Sequence, residues 1–202
     1  SGAAYGYHAD NPEWINEDAP LRGNPEFAYS DHKRQVEALL ADYRQRHPHL
    51  GQLVLRPGTV LGANTRNLIT RLFEGRSLLA VAGSPSPFVF IWDQDVLAII
   101  EKGVTEERNG CFNLAGDGAL TITQLAAILR KPVVTVPAWA IRAGLAVGHA
   151  LRLTGYTPAQ VNFLRYRPVL GNQKLKQEFG YLPKKSSEQP FRFWLASRES
   201  KA

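Results

Sequence analysis

The chain has 202 residues, of which 44% are hydrophobic and 21% are charged. This length and composition suffice for one sizeable hydrophobic core, so we expect a single unit. Charged or polar residues interrupt even the apolar stretch from Val133 to Leu153, which excludes the run of about 18 apolar residues that a membrane span requires. The first residues show no export signal. We therefore expect a soluble, cytoplasmic protein with no membrane partner.

The net charge is +6, from 24 Lys and Arg against 18 Asp and Glu. A nucleic-acid interface gathers its basic residues and places aromatic rings among them. Here the basic residues are scattered singly or in small groups, such as Lys184 with Lys185 and Lys174 with Lys176. No nucleic-acid partner is predicted. The single cysteine, Cys111, excludes an internal disulfide and a cysteine-built metal site, and no metal is predicted.

The first half of the chain predicts a loop, a long helix, and then alternating strands and helices. Ser1–Tyr7 and the proline-rich segment after it are typical of irregular structure. From about Ala28 to His47, apolar residues recur at three- and four-residue spacing until Pro48 ends the pattern, which predicts a helix. Composition and turn residues then predict strands at 53–55, 78–82, 88–92 and 111–114, and helices at 67–73 and 93–102.

The second half continues this alternation. Thr121 and Gln124 have the spacing of a capping box, in which each side chain satisfies a free backbone N–H, so a helix is predicted from there to Leu129. A β-branched run between prolines predicts a strand at 133–136. Further helices are predicted at 139–153, 158–166, 172–179 and 187–196. The alternation indicates an α/β architecture.

Tyr29 and Lys33 lie four residues apart at the start of the long helix, so their side chains emerge from one face about a turn apart. A nearby ammonium stabilises a phenolate, which helps a tyrosine to exchange a proton with a substrate hydroxyl or carbonyl. The lysine can also hold a ribose hydroxyl. Tyr and Lys at this spacing are common on helices, however, and the pair alone more often describes a surface tyrosine beside a solvated lysine.

Two further motifs flank the Tyr29 and Lys33 pair and favour a catalytic interpretation of it. The three stand in the order Ser1-Gly2-Ala3-Ala4-Tyr5-Gly6, Tyr29-x-x-x-Lys33 and Arg56-Pro57-Gly58-Thr59-Val60-Leu61-Gly62. In these motifs the chain resembles the extended short-chain dehydrogenase/reductase family, which includes NAD-dependent epimerases and dehydratases. The resemblance continues through residues 90–96, 112–116 and 175–183, so it covers nearly the whole chain.

The resemblance implies an enzyme that uses NAD or NADP to move hydride to or from a carbonyl or hydroxyl carbon of a sugar-like or other small substrate. It implies that Tyr29 is the general acid/base, that Lys33 tunes it and holds the nicotinamide ribose, and that Ser1 hydrogen-bonds the reacting oxygen of the substrate. It also implies that the nicotinamide lies beside Pro57, Gly58 and Thr59.

The implied fold is the C-terminal part of a Rossmann-like NAD(P)-binding fold. Residues 1–62 would form its catalytic part, and residues 63–202 mostly a small mixed α/β substrate-binding region. The Gly-rich loop that holds the cofactor pyrophosphate would precede Ser1, and this sequence contains none, so we expect the chain by itself to bind dinucleotide poorly and to be inactive. Paired copies of the Tyr29 helix would form a homodimer.

On the substrate side, the candidate contacts are Tyr5, Phe88 and Trp92. Many nucleotide-sugar enzymes of this family carry an arginine where Phe88 stands and a histidine where Trp92 stands. An apolar ring does not pair with a diphosphate as a guanidinium does. A less charged substrate is therefore a serious alternative to a nucleotide sugar.

Two other functions stay open: a non-catalytic, NAD(P)-responsive binding or regulatory module with the same fold, and an inactive fragment. The presence of both Tyr29 and Lys33 favours the enzyme, because a binding module needs no proton donor.

Other polar and apolar groups are weaker candidates. His47 and His49 lack a third ligand nearby in sequence and are expected to be exposed loop residues. Asp93 and Asp95 are expected to complement the positive end of a helix dipole rather than to act as paired acids. Core packing is expected of Trp139, Leu145 and Val147.

Overall fold

The strands of the computed structural model, which describes residues 1–199, form three parallel pairs. The pairs are β1 (Leu53–Pro57) with β5 (Gly110–Leu114), β2 (Thr59–Leu61) with β4 (Phe90–Trp92), and β3 (Leu78–Val81) with β6 (Val133–Val136). Parallel strands require crossover connections, which helices supply here. The α/β architecture expected from the sequence is confirmed.

Helices account for most of the remaining regular structure. They are α1 (Ala28–Arg46), α2 (Leu68–Arg71), α3 (Asp93–Thr105), α4 (Ile122–Leu129), α5 (Ala138–Ala150), α6 (Val161–Arg165), α7 (Gln173–Gln177) and α8 (Glu188–Glu199). Every helix predicted from the sequence is present, with its ends within a few residues of the prediction. The capping box is also confirmed, since the Thr121 hydroxyl accepts from the Gln124 N–H at 3.3 Å and the Gln124 amide oxygen accepts from the Thr121 N–H at 2.8 Å.

Two short elements were not predicted. Gly2–Tyr5 is a 3-10 turn and is buried throughout, which corrects the expectation of an irregular loop at Ser1–Tyr7. β2 follows β1 after a bend at Gly58, where a loop was expected. Three residues are too few to show an alternating pattern, and the pairing of β2 with β4 depends on residues far along the chain.

The described residues pack into three apolar clusters. The largest lies among β2, β3, β4, α4 and α8, and its aromatic members are Phe73, Phe88, Phe90, Phe191 and Trp194. A second cluster joins β4, β5, α3 and α7. The third lies beneath the 3-10 turn and includes Tyr5 and Leu170. Together these clusters hold the carboxyl end of β1 and the amino end of β4 beside the 3-10 turn.

Helix α5 packs less closely than its sequence suggests. Trp139 is 73% exposed and Val147 60% exposed, so the prediction of core packing is wrong for both, while Leu145 is half-buried. None of the residues of α5 is buried. Because α5 is apolar on nearly all sides, its pattern did not indicate which face packs inward.

Within residues 1–199, no helix is long and apolar enough to cross a membrane. Among the side chains of residues 1–198, no group of three or more His, Cys, Asp or Glu could hold a metal ion. The last three residues of the predicted substrate-binding region, 200–202, lie outside the described part of the chain.

Candidate active site

A cavity of about 760 Å³ opens beside the 3-10 turn and the start of α1. Its lining draws on both predicted parts of the chain, from the turn, α1 and the β1–β2 bend on one side and from residues 163–170 on the other. All the residues predicted to be catalytic or to bind cofactor line it: Ser1, Tyr29, Lys33, Pro57, Gly58 and Thr59.

The bend between β1 and β2 exposes backbone to the cavity. The Gly58 N–H donates to Leu114 O at 2.9 Å and the Thr59 N–H to Val89 O at 3.2 Å, so the bend is fixed by the strands beside it. A Cβ on Gly58 would lie 3.0 Å from Val89 Cγ2 and 3.1 Å from Val89 O. A side chain at this position would therefore displace β4 or the bend.

Ser1 and Tyr29 come together although they are 28 residues apart. The Ser1 Oγ lies 3.3 Å from the Tyr29 Oη, and the Lys33 Nζ lies 5.6 Å from the centre of the Tyr29 ring. The buried Ser30 hydroxyl donates to Ala3 O at 2.7 Å, which ties the start of α1 to the 3-10 turn. Two hydroxyls within hydrogen-bond distance and an ammonium beside them can hold one substrate oxygen and move a proton to or from it.

A buried ionic network supports these residues from below. The Arg56 guanidinium binds both carboxylate oxygens of Glu37 through Nε at 3.0 and 2.9 Å, and also donates to the Tyr5 hydroxyl at 2.8 Å. Both partners of this ion pair are nearly inaccessible, with side chains 7% and 8% exposed. Because Glu37 lies one turn beyond Lys33, the pair fastens α1 to β1 directly behind the catalytic candidates.

Tyr5 belongs to this network rather than to the cavity. Its hydroxyl donates to Asn113 Oδ1 at 2.8 Å, and only 1% of its surface is exposed. Burial raises the pKa of Tyr5 to about 12, so its phenol stays neutral at physiological pH. Trp92, another of the three candidate substrate contacts, also lies outside the cavity lining, against Phe193 and Lys185. Phe88, the third, lines the cavity.

The weaker candidates lie elsewhere. Asp93 and Asp95 are in the first turn of α3, as expected, and the buried Asp95 carboxylate accepts from the Tyr181 hydroxyl at 2.8 Å and the Lys184 N–H at 3.1 Å. The rings of His47 and His49 are 6.0 Å apart after α1. None of the four lines the cavity.

Comparison with known proteins gives relatives without assigned functions. No family model matches the chain. An uncharacterized protein of Mycobacterium tuberculosis is 22% identical over 194 residues, which are 96% of this chain and 52% of that protein. A second uncharacterized protein of the same organism is 24% identical over 165 residues, 81% of this chain and 17% of that protein. The chain thus spans about half the length of the curated relatives it matches most fully.

Solved structures are more informative about the fold. A dTDP-glucose 4,6-dehydratase of Bacillus anthracis in complex with NAD matches with a TM-score of 0.70 at 19% identity, over 99% of this chain and 60% of that one. A short-chain dehydrogenase/reductase superfamily protein of Agrobacterium tumefaciens with bound NAD matches with a TM-score of 0.65 at 18% identity, over 100% and 66%. The fold is that of short-chain dehydrogenase/reductase proteins. The structural likeness confirms the resemblance seen in the motifs.

The dehydrogenase/reductase motifs predicted one wall of the cavity and missed the other. The missed wall holds the rings of Tyr7, Phe27 and Phe163 and the guanidinium of Arg167. Burial lowers the pKa of Arg167 to about 10. The only sequence signal was compositional, because no Asp or Glu occurs between Asp117 and Glu178 to pair with this arginine.

Proposed function

We propose that the chain is the catalytic and substrate-binding part of an NAD(P)-dependent oxidoreductase or epimerase, which acts on a carbonyl or hydroxyl carbon of a small substrate. The observation that carries the proposal is the 3.3 Å approach of Ser1 Oγ and Tyr29 Oη in the cavity of about 760 Å³, beside Lys33 and the β1–β2 bend. A proton donor, its stabilising cation and a binding hydroxyl thus face one space.

The residues present fit the nicotinamide end of a dinucleotide. Gly58 lines the cavity without a side chain, since a Cβ there would crowd Val89, and Lys33 offers three N–H donors for ribose hydroxyls. Two neighbours by fold were solved with the cofactor types concerned, a Bacillus anthracis dehydratase with NAD and a Pseudomonas aeruginosa protein, RMD, with NADPH. When bound, the cofactor supplies or accepts the hydride.

The roles of the chain's own groups follow from their positions. The Ser1 and Tyr29 hydroxyls hydrogen-bond the substrate oxygen and hold its carbon toward the β1–β2 bend. During reduction the Tyr29 hydroxyl gives its proton to that oxygen, and the Lys33 ammonium stabilises the phenolate that results. During oxidation the same phenolate takes the proton back.

We also propose that α1 pairs with its copy in a homodimer. Along this helix, Val36, Leu39 and Tyr43 are 48%, 67% and 43% exposed, which leaves an apolar stripe on the side away from the ion pair. An isologous contact along one helix face is the simplest way to cover such a stripe in a homo-oligomer.

The test is Tyr29→Phe in the full natural chain, with Tyr43→Phe on the same helix as the matched control. We expect Tyr29→Phe to lower the turnover of NADH or NADPH with a panel of ketones and sugar nucleotides by about 10²- to 10⁴-fold, the usual share of general acid/base catalysis. Cofactor affinity, followed by fluorescence titration, should change little in either variant. Turnover that survives Tyr29→Phe contradicts the proposal, and cofactor binding without turnover of any substrate supports the non-catalytic module instead.

A further inference from the structure

Three aromatic rings, those of Phe27, Phe163 and Tyr7, continue the cavity wall beside Tyr29. The Tyr29 ring is 6.1 Å from that of Phe27, which is 5.3 Å from Phe163 and 5.6 Å from Tyr7, and Tyr7 and Phe163 are 5.1 Å apart. All four rings line the cavity. Aromatic faces grouped in this way bind planar or apolar groups, while they offer few partners to the many hydroxyls of a sugar.

Arg167 ends this wall. Its guanidinium carbon lies 3.9 Å from the centre of the Phe88 ring and 5.7 Å from that of Phe163. The Nη1 donates to Ser86 O and Ser86 Oγ, both at 2.9 Å, whereas the Nε is buried and has no hydrogen-bond partner within residues 1–199. The guanidinium is therefore held in position with donor capacity left over.

No carboxylate neutralises this arginine in the described part of the chain. Arg167 forms no ion pair there, and the residues that line the cavity include Lys33 and Arg167 as cations but no Asp or Glu. A charge taken from water into an apolar site is costly unless an opposite charge pairs with it. A guanidinium in this setting is matched by the carboxylate or phosphate of a ligand.

We propose that the cavity takes a small substrate with an aromatic or other apolar body, whose carbonyl lies at Tyr29 and whose single anionic group pairs with Arg167. This inference rests on the proposed function, because Tyr29 fixes the place of the carbonyl. A nucleotide sugar presents two phosphates and a polyhydroxylated ring, and the wall between Tyr29 and Arg167 offers aromatic carbon instead.

The first test compares two ketones that differ by one carboxylate, 4-acetylbenzoate and acetophenone, by calorimetric titration of the wild-type protein. We expect 4-acetylbenzoate to bind at least about tenfold more tightly, since a charge-assisted hydrogen bond contributes at least that factor. UDP-glucose, titrated in the same way, should bind more weakly than 4-acetylbenzoate. Equal affinity for the two ketones, or tighter binding of UDP-glucose, overturns the inference.

Single substitutions then show which residues cause the difference in affinity between the two ketones. Arg167→Gln should abolish the preference for 4-acetylbenzoate, and Arg165→Gln should keep it, because Arg165 donates to Ser84 outside the cavity lining. Phe163→Leu should weaken the binding of both ketones several-fold, whereas Phe193→Leu on the exposed face of α8 should leave both affinities unchanged. Circular dichroism verifies folding, and if Arg167→Gln fails to fold, the wild-type comparison of the three ligands decides by itself.

The outcome separates this inference from the proposed function. Binding is measured without cofactor, and turnover of NADH or NADPH is measured apart from it. A preference that depends on Arg167 without any turnover supports the anion site and contradicts the proposed function. Turnover that depends on Tyr29, with no contribution from Arg167, supports the proposed function and overturns the inference.

Discussion

The two walls of the cavity are built in different ways. The wall that carries Ser1, Tyr29 and Lys33 stands on a buried ion pair and a buried 3-10 turn. Phe163 lies in α6, which packs against α5, and none of the residues of α5 is buried. Reacting groups need exact placement, whereas recognition of the rest of the substrate tolerates adjustment. The contrast suggests that the chemistry can be kept while the substrate wall varies.

The largest effect is expected at the buried ion pair of Glu37 and Arg56, which supports the wall that carries Tyr29. Glu37→Gln should lower the free energy of unfolding by about 3–5 kcal/mol, because it leaves the buried Arg56 charge without its partner. Asp42→Asn breaks an exposed pair with Arg46 on the same helix and should cost about 1 kcal/mol or less. Urea unfolding followed by circular dichroism measures both. Similar losses in the two variants would show that the buried pair does not anchor this wall.

The sequence predicted the wall that carries Tyr29 better than the wall that carries Phe163. Motifs that are local in the chain, such as Tyr29-x-x-x-Lys33 and Pro57-Gly58-Thr59, identified residues that the structure brings to one cavity. Local patterns also found every helix. The Glu37–Arg56 pair was missed, although a glutamate one turn after Lys33 and an arginine inside an apolar strand are both visible in the sequence.

What the sequence did not show depends on contacts between distant residues. Phe27, Phe163 and Arg167 meet only because α6 folds back over the start of α1. Tyr5 belongs to the first motif and Trp92 to the resembling stretch 90–96, yet their side chains lie outside the cavity lining. In α5, an apolar surface on all sides left the inward face undetermined.

A smaller effect is expected at Tyr7, where the two walls meet. Burial raises the pKa of the Tyr7 phenol above its ordinary value of about 10. Between pH 10 and 12 the unfolded chain therefore loses phenolic protons that the folded chain keeps, and the free energy of unfolding falls by about 1.4 kcal/mol per pH unit for each such tyrosine. Below pH 10 this loss is absent.

Tyr7→Phe should reduce the alkaline loss, because one buried phenol no longer titrates. Its hydroxyl forms no side-chain hydrogen bond to residues 1–199, so phenylalanine leaves no described partner unsatisfied. Tyr156→Phe, at a position that is 53% exposed, is the control for removal of a phenol that is not buried. Urea unfolding at pH 8, 10 and 11 gives the free energy of unfolding of the wild type and of the two variants. Identical profiles would show that Tyr7 does not stay protonated in the folded chain.

The smallest effect is expected on the outer face of α5. Trp139 is 73% exposed, so Trp139→Ser should change the free energy of unfolding by no more than about 0.5 kcal/mol. Trp194→Ser, in the core with its indole N–H donated to Thr65 O at 3.0 Å, should cost about 3–5 kcal/mol. A large loss of unfolding free energy in Trp139→Ser would mean that α5 is covered in solution, by a second copy of the chain or by another segment of the protein. The wall that carries Phe163 would then be as firmly supported as the wall that carries Tyr29.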